Sequence, residues 1–95
     1  MYTFHSKPIN TNRNERVTFV GDFQNGILNI AAARCSKKDQ FSRKKGTQIA
    51  TGRLNKHRLV YSTPLKECSN NEFLNIVKDL TPTIIKSKIV LLLLP

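Results

Sequence analysis

The stretch whose reading decides the fold runs from Cys35 to Arg58, CSKKDQFSRKKGTQIATGRLNKHR. Eight of the chain's 16 lysines and arginines fall in it: Lys37, Lys38, Arg43, Lys44, Lys45, Arg53, Lys56 and Arg58. A single acid, Asp39, interrupts them. The spacing predicts a helix from Lys37 to about Asn55, because Gly46, Ile49, Ala50 and Leu54 then share an apolar arc of about 140°. Phe41 falls outside that arc. Gly46 and Ala50 stand four residues apart, so they face one side, and such a small pair lets a helix lie close on a sheet. Each of Gly46 and Gly52 weakens a helix by about 1 kcal/mol relative to Ala. A break at Gly46, giving two short helices and turning Phe41 inward, is therefore the competing reading. Ser36 with Asp39 three residues on resembles a capping box, which sets the helix start at Ser36. Asp39 there also suits the positive end of the helix dipole.

Strand patterns flank this helix. Upstream, Tyr2 and Phe4 alternate with Thr3 and His5, a short first strand that Pro8 would end. The polar run Asn10 to Asn14 reads as a loop. Glu15 to Val20 alternates Val17 and Phe19 against Thr18 and Val20. Gly21 to Gly26 follows, and its Asn25-Gly26 pair is a hairpin signal. The returning strand, Ile27 to Ala33, offers two inward sets: Leu28, Ile30 and Ala32, or Ile27, Ala31 and Ala33. Its alanines leave room for another element. Downstream, Arg58 to Thr63 alternates as a strand ended by Pro64. Ser69-Asn-Asn-Glu72 is a capping box, followed by Phe73, Leu74, Ile76, Val77 and Leu80 at helical spacing. That second helix should end before Thr81-Pro82. Thr83 to Leu94 is rich in β-branched residues and reads as a last strand, apolar on both faces from Ile89. It is either covered or an exposed edge open to self-association. The order β-β-α-β-α-β, with an extra N-terminal strand allowed, predicts one α+β domain over residues 1–95. Its sheet is mainly antiparallel, of about four strands, with two helices packed on one face.

Composition narrows the function. Ninety-five residues make one domain, and 39% hydrophobic residues are too many for a disordered tail. The net charge of +10 favours an anionic partner: nucleic acid, an acidic protein surface or an anionic membrane. The apolar run Ile89 to Leu94 falls far short of the roughly 20 residues of a membrane span, so no membrane partner is expected. Met1 to Ile9 has no signal-peptide pattern, and the two cysteines, Cys35 and Cys68, form no disulfide framework. Both point to a cytoplasmic protein.

The candidate binding residues for nucleic acid or an acidic partner are Lys37, Lys38, Arg43, Lys44, Lys45, Arg53, Lys56 and Arg58. Phe41 is the lone aromatic among them, so phosphate or acidic-surface contact fits better than base stacking. The helix start at Ser36, beside Lys37 and Lys38, is a candidate anion site. Catalysis is poorly supported. Cys35 would need a base, and His57 lies at the far end of the predicted helix, about 30 Å away. His5 is the other histidine. Cys35, Cys68, His5 and His57 match no zinc spacing, and the six acids form no pair. We therefore expect no catalytic residues, no metal and no cofactor.

One resemblance bears on function. The pattern Cys35-Ser36-x-x-Asp39-x-Phe41, then Lys45-Gly46-x-x-Ile49-Ala50-x-Gly52-Arg53-Leu54, following a strand, resembles small proteins encoded by phages and prophages. It spans residues 17 to 58 and does not include the apolar C-terminal tail. It implies no settled activity, but small phage proteins of this size often bind and block a host nucleic-acid machine, CRISPR nucleases included. With the basic helix, this leads us to expect a non-enzymatic inhibitor or modulator of a host nucleic-acid-processing complex, such as an anti-CRISPR protein, acting through that helix in the host cytoplasm. The other reading is a DNA- or RNA-binding accessory protein using the same residues. The partner is then a host nucleic-acid-processing protein or its nucleic acid, and the C-terminal strand would allow a homo-oligomer.

Overall fold

A computed structural model of the chain describes residues 1–7, 16–34 and 42–86. The elements are β1 (Tyr2–His5), β2 (Val17–Gln24), β3 (Ile27–Arg34), α1 (Arg43–Asn55), β4 (Tyr61–Pro64) and α2 (Asn70–Lys86). The four strands form one antiparallel sheet in the order β1-β2-β3-β4. The class is α+β, as the sequence pattern predicts.

Asn25 and Gly26 make the β2–β3 turn, with φ of 53° and 76°. Positive φ at both central residues matches the right-handed twist of the flanking strands. Because the turn needs only these two residues, Gly21 to Gln24 stay in the ladder, opposite Ile30 to Ile27. The second strand is thus longer than its apolar alternation suggests. β4 starts later than expected, at Tyr61, because the Arg58 amide is committed to the end of α1, donating to the Arg53 carbonyl at 2.8 Å.

The helices lie on opposite faces of the sheet, not on one. Val17, Phe19, Leu28, Ile30 and Ala32 pack against Phe73, Val77 and Ile84 of α2. Val20, Ala31 and Ala33 pack against Ala50, with Ile49 and Leu54 alongside. The inward set Leu28, Ile30 and Ala32 thus meets α2, while of the other set Ala31 and Ala33 meet α1 and Ile27 is exposed. Away from their turn, the two central strands are covered on both sides, and Val17 to Val20 are fully buried in succession. The division of labour follows side-chain size. The face with Phe19, Leu28 and Ile30 meets the more apolar helix. The face with alanines meets the glycine and alanine of α1.

That second contact is close. A Cβ on Gly46 would stand 2.5 Å from Thr18 Oγ1. Thr18 Oγ1 is itself held at 2.9 Å from His5 Nδ1, so it cannot turn away freely. α1 is continuous through Gly46, with no break there. Gly46→Ala should therefore destabilise the protein by about 1–2 kcal/mol net, overpacking outweighing the gain of about 1 kcal/mol in helix propensity. Urea denaturation checks it; a rise in midpoint would contradict the packing.

α2 begins as the sequence suggests, with Ser69 Oγ accepting from the Glu72 amide at 3.3 Å. It does not stop at Leu80. It runs through Pro82 to Lys86, so residues 83–86 are helical where a last strand is predicted. The reason lies in the periodicity: Phe73, Val77, Leu80 and Ile84 continue one apolar stripe across the proline. Pro82 and Lys78 are both exposed, so the Lys78 carbonyl that Pro82 cannot serve faces the solvent side. Thr81 Oγ1 donates to the Val77 carbonyl at 2.7 Å just beside it. The apolar run Ile89–Leu94, and the oligomer contact expected of it, lie outside the described residues.

Candidate functional site

α1 starts at Arg43, six residues after the predicted start. Its N-cap is Ser42, in extended conformation, whose side chain accepts from the Lys45 amide at 3.2 Å. Ser36 is thus not the cap of this helix. The capping-box rule misses the true start because it looks for an acid or amide three residues on, and Lys45 occupies that place. Ser36, Lys37 and Lys38, together with Cys35 and Phe41, lie outside the described residues.

The first turn of α1 is Arg43-Lys44-Lys45, all exposed, with no acid. The macrodipole makes this the position where anions are favoured, and each cation there costs about 0.3–1 kcal/mol. The whole helix, RKKGTQIATGRLN, contains no Asp or Glu to compensate. Two further groups join this end from the sheet. His5 of β1 sits close enough to Arg43, and to Arg16 just before β2, for their charges to act on it. Arg16 Nε donates to the Ser6 carbonyl at 2.7 Å. Sequence reasoning names His5 only as the other histidine and does not point to Arg16, because only the β1–β2 pairing brings them together.

Burial, then the charges of Arg43 and Arg16, push the His5 pKa below its ordinary 6.5. The unfolded chain then binds a proton more readily than the fold does. Stability contributed by neutral His5 is present above pH 6.5 and is lost as pH falls from there toward the lowered folded value. Denaturation midpoints between pH 7.5 and about 5 should therefore drop more steeply in the natural protein than in His5→Gln. Parallel pH profiles would contradict this.

The opposite end of α1 carries Arg53, Lys56 and Arg58. The His57 amide donates to the Leu54 carbonyl at 3.0 Å, and the Arg58 amide to the Arg53 carbonyl at 2.8 Å. This is a Schellman closure, with His57 at φ 57° where glycine is usual. The closure draws Arg58 toward Arg53. Arg53, half-buried, donates from Nη1 to the Ala32 carbonyl at 2.8 Å, on the stretch of β3 beyond its pairing with β4. Burial, then the charge of Arg58, lower its pKa. Arg53, His57, Arg58 and Leu59 line a half-open depression of about 540 Å³.

Among the described residues the candidate cations thus fall into two groups at the ends of one helix. Lys44 and Lys56 are twelve residues apart, about 18 Å along the axis. Lysines and arginines at the C-terminal end suit the negative pole of the dipole, so the fold itself accounts for them. It does not account for Arg43-Lys44-Lys45. Between the groups the outward face is neutral: Gln48, Thr51, Gly52 and Asn55.

Elsewhere, Cys68 is half-exposed, its carbonyl accepting from the Tyr2 hydroxyl at 2.6 Å. Among the described residues no three His, Cys, Asp or Glu side chains gather as a metal site. No helix among them is long and apolar enough to cross a membrane. No protein-family model matches the chain, and comparison with curated proteins and with solved structures finds no similar one.

Proposed function

We propose that this is a non-enzymatic binding protein that engages nucleic acid through the two cationic ends of α1. The observation that carries the reading is the first turn, Arg43-Lys44-Lys45, set against the helix dipole with no acid on the helix. Charge placed where the fold disfavours it is accounted for by a polyanion that supplies the missing negative charge. The phosphate backbone is such a ligand, and the net charge of +10 would draw it in over a long range. We take the setting of this binding from the resemblance read in the sequence of residues 17–58 to small phage and prophage proteins. The protein would inhibit or modulate a host nucleic-acid-processing complex, as anti-CRISPR proteins do, by occupying the path of its nucleic acid.

Fluorescence anisotropy with a labelled duplex tests the core of this. Affinity should fall as a power of salt concentration, with a slope of about −0.9 for each phosphate contacted. Four or five contacts would give a slope of about −4. Absence of binding to any duplex or single strand at about 50 mM salt would sink the reading and leave an acidic protein surface as the partner.

A further inference from the structure

The outward face of α1 holds a detail that phosphate binding does not explain. Gln48, Thr51, Gly52 and Asn55 follow the spacing i, i+3, i+4, i+7, on the side opposite buried Gly46 and Ala50. Three of the four offer side-chain hydrogen bonds, and none is charged. The fourth is a half-exposed glycine: a Cβ built there meets no atom of the described residues within 4 Å. Gly46 is required by Thr18, but nothing among the described residues requires Gly52, and helix propensity disfavours it. A bare backbone on an outward face makes sense where something outside approaches it.

We propose that this face reads duplex DNA from the major groove. A helix with its side chains is about 10–12 Å across, and the major groove of B-form DNA is about 12 Å wide. With α1 seated there, Arg43, Lys44 and Lys45 reach phosphates at one end and Lys56 and Arg58 at the other. Gln48 and Asn55 meet base edges, where side-chain amides pair with adenine through its N6 and N7. Thr51 offers a hydroxyl and a methyl to the same edges. Gly52 lets the groove close on the helix backbone. Duplex RNA is a poor fit, because its major groove is too deep and narrow for side chains to read. An interfacial membrane helix would need an apolar face where these polar residues stand. The inference rests on the nucleic-acid reading above and adds to it a duplex, a groove and base recognition.

The test is selection of a randomised DNA duplex pool by the full chain. Anisotropy then compares the selected duplex, a random duplex, duplex RNA and single strands. Selected DNA should bind on the order of tenfold tighter than random DNA. Gln48→Ala with Asn55→Ala should remove that preference while leaving the salt slope unchanged. Gly52→Leu should lose about tenfold or more in affinity for all duplexes. Gly52→Ala should raise the melting temperature by several degrees, as open space and helix propensity dictate, yet weaken binding. Binding to DNA with no enrichment, or full selectivity in the Gln48/Asn55 variant, or equal affinity in Gly52→Leu, overturns the groove reading alone. Preference for duplex RNA or single strands overturns it too. Failure of the natural protein to bind any nucleic acid overturns both readings.

Discussion

Replacing Lys44 and Lys45 together by glutamate should cut nucleic-acid affinity by about 100-fold or more at 100 mM salt, and make the protein more stable. Both parts follow from one location. The two lysines occupy the second and third positions of α1, next to its unsatisfied amides. For binding, the change removes two phosphate contacts and adds two repulsive charges, so the salt slope should fall by about 1.8. For folding, the change turns two unfavourable charges into favourable ones, each contributing about 0.3–1 kcal/mol. A glutamate in place of Lys45 would also complete a capping box with Ser42, reaching back to the cap amide. In a domain of this size about 1 kcal/mol moves the melting temperature by roughly 4–8 °C. Calorimetry and anisotropy on one preparation measure both. A variant that binds as well as the natural protein would dismiss α1 as the contact surface. A variant that binds poorly because it melts lower would mean the first turn is built differently.

Phe73→Ala should cost about 3–5 kcal/mol and bring the protein close to unfolding at room temperature. Phe73 is fully buried and is the one large aromatic that α2 sends into the sheet. Its ring stacks on Tyr2 with centroids 5.3 Å apart and planes 22° from parallel. It also lies over Gly21, where a Cβ would come within 2.6 Å of the ring edge. The ring thus joins α2 to β1 and β2 at once, and its removal leaves a cavity that the β-sheet cannot collapse to fill. Gly21→Ala should destabilise through the reverse error, and Phe73→Leu should partly restore it by withdrawing the ring. Urea denaturation of the two single variants and the double variant measures the coupling. Additive losses would mean that ring and glycine are not in the contact described.

Much of this fold is legible locally. The Asn25-Gly26 turn, the Ser69 cap of α2 and the close-packing pair Gly46 and Ala50 are each carried by a few neighbouring residues. The parts that local rules misplace share a cause. Asp39 completes a familiar pattern with Ser36 and so draws the expected start of α1 there, while Ser42 caps with a lysine at the third position. Pro82 reads as a stop because a proline removes one hydrogen bond, yet the burial of Ile84 on the far side keeps the helix going. In both places a local rule yields to something it does not contain: in one a cation where the rule asks for an acid, in the other a packing surface.

The site divides in the same way. That the Cys35–Arg58 stretch is basic, and carried largely on a helix, is determined by the sequence itself. That Lys44 and Lys45 project while Gly46 and Ala50 pack is also implied by helical periodicity alone. Only the tertiary structure decided that the helices take opposite faces, because the alternation of β3 fits either face and from Ile30 to Ala33 both are buried. It alone brought His5 beside both Arg16 and the start of α1, through pairing across a span of eleven residues or more. And it alone separated two glycines of one helix: Gly46 pressed against Thr18, Gly52 with no described neighbour where its Cβ would stand. Propensity treats them alike, since it depends on the backbone of one residue; their roles differ because each depends on what stands, or does not stand, across from it.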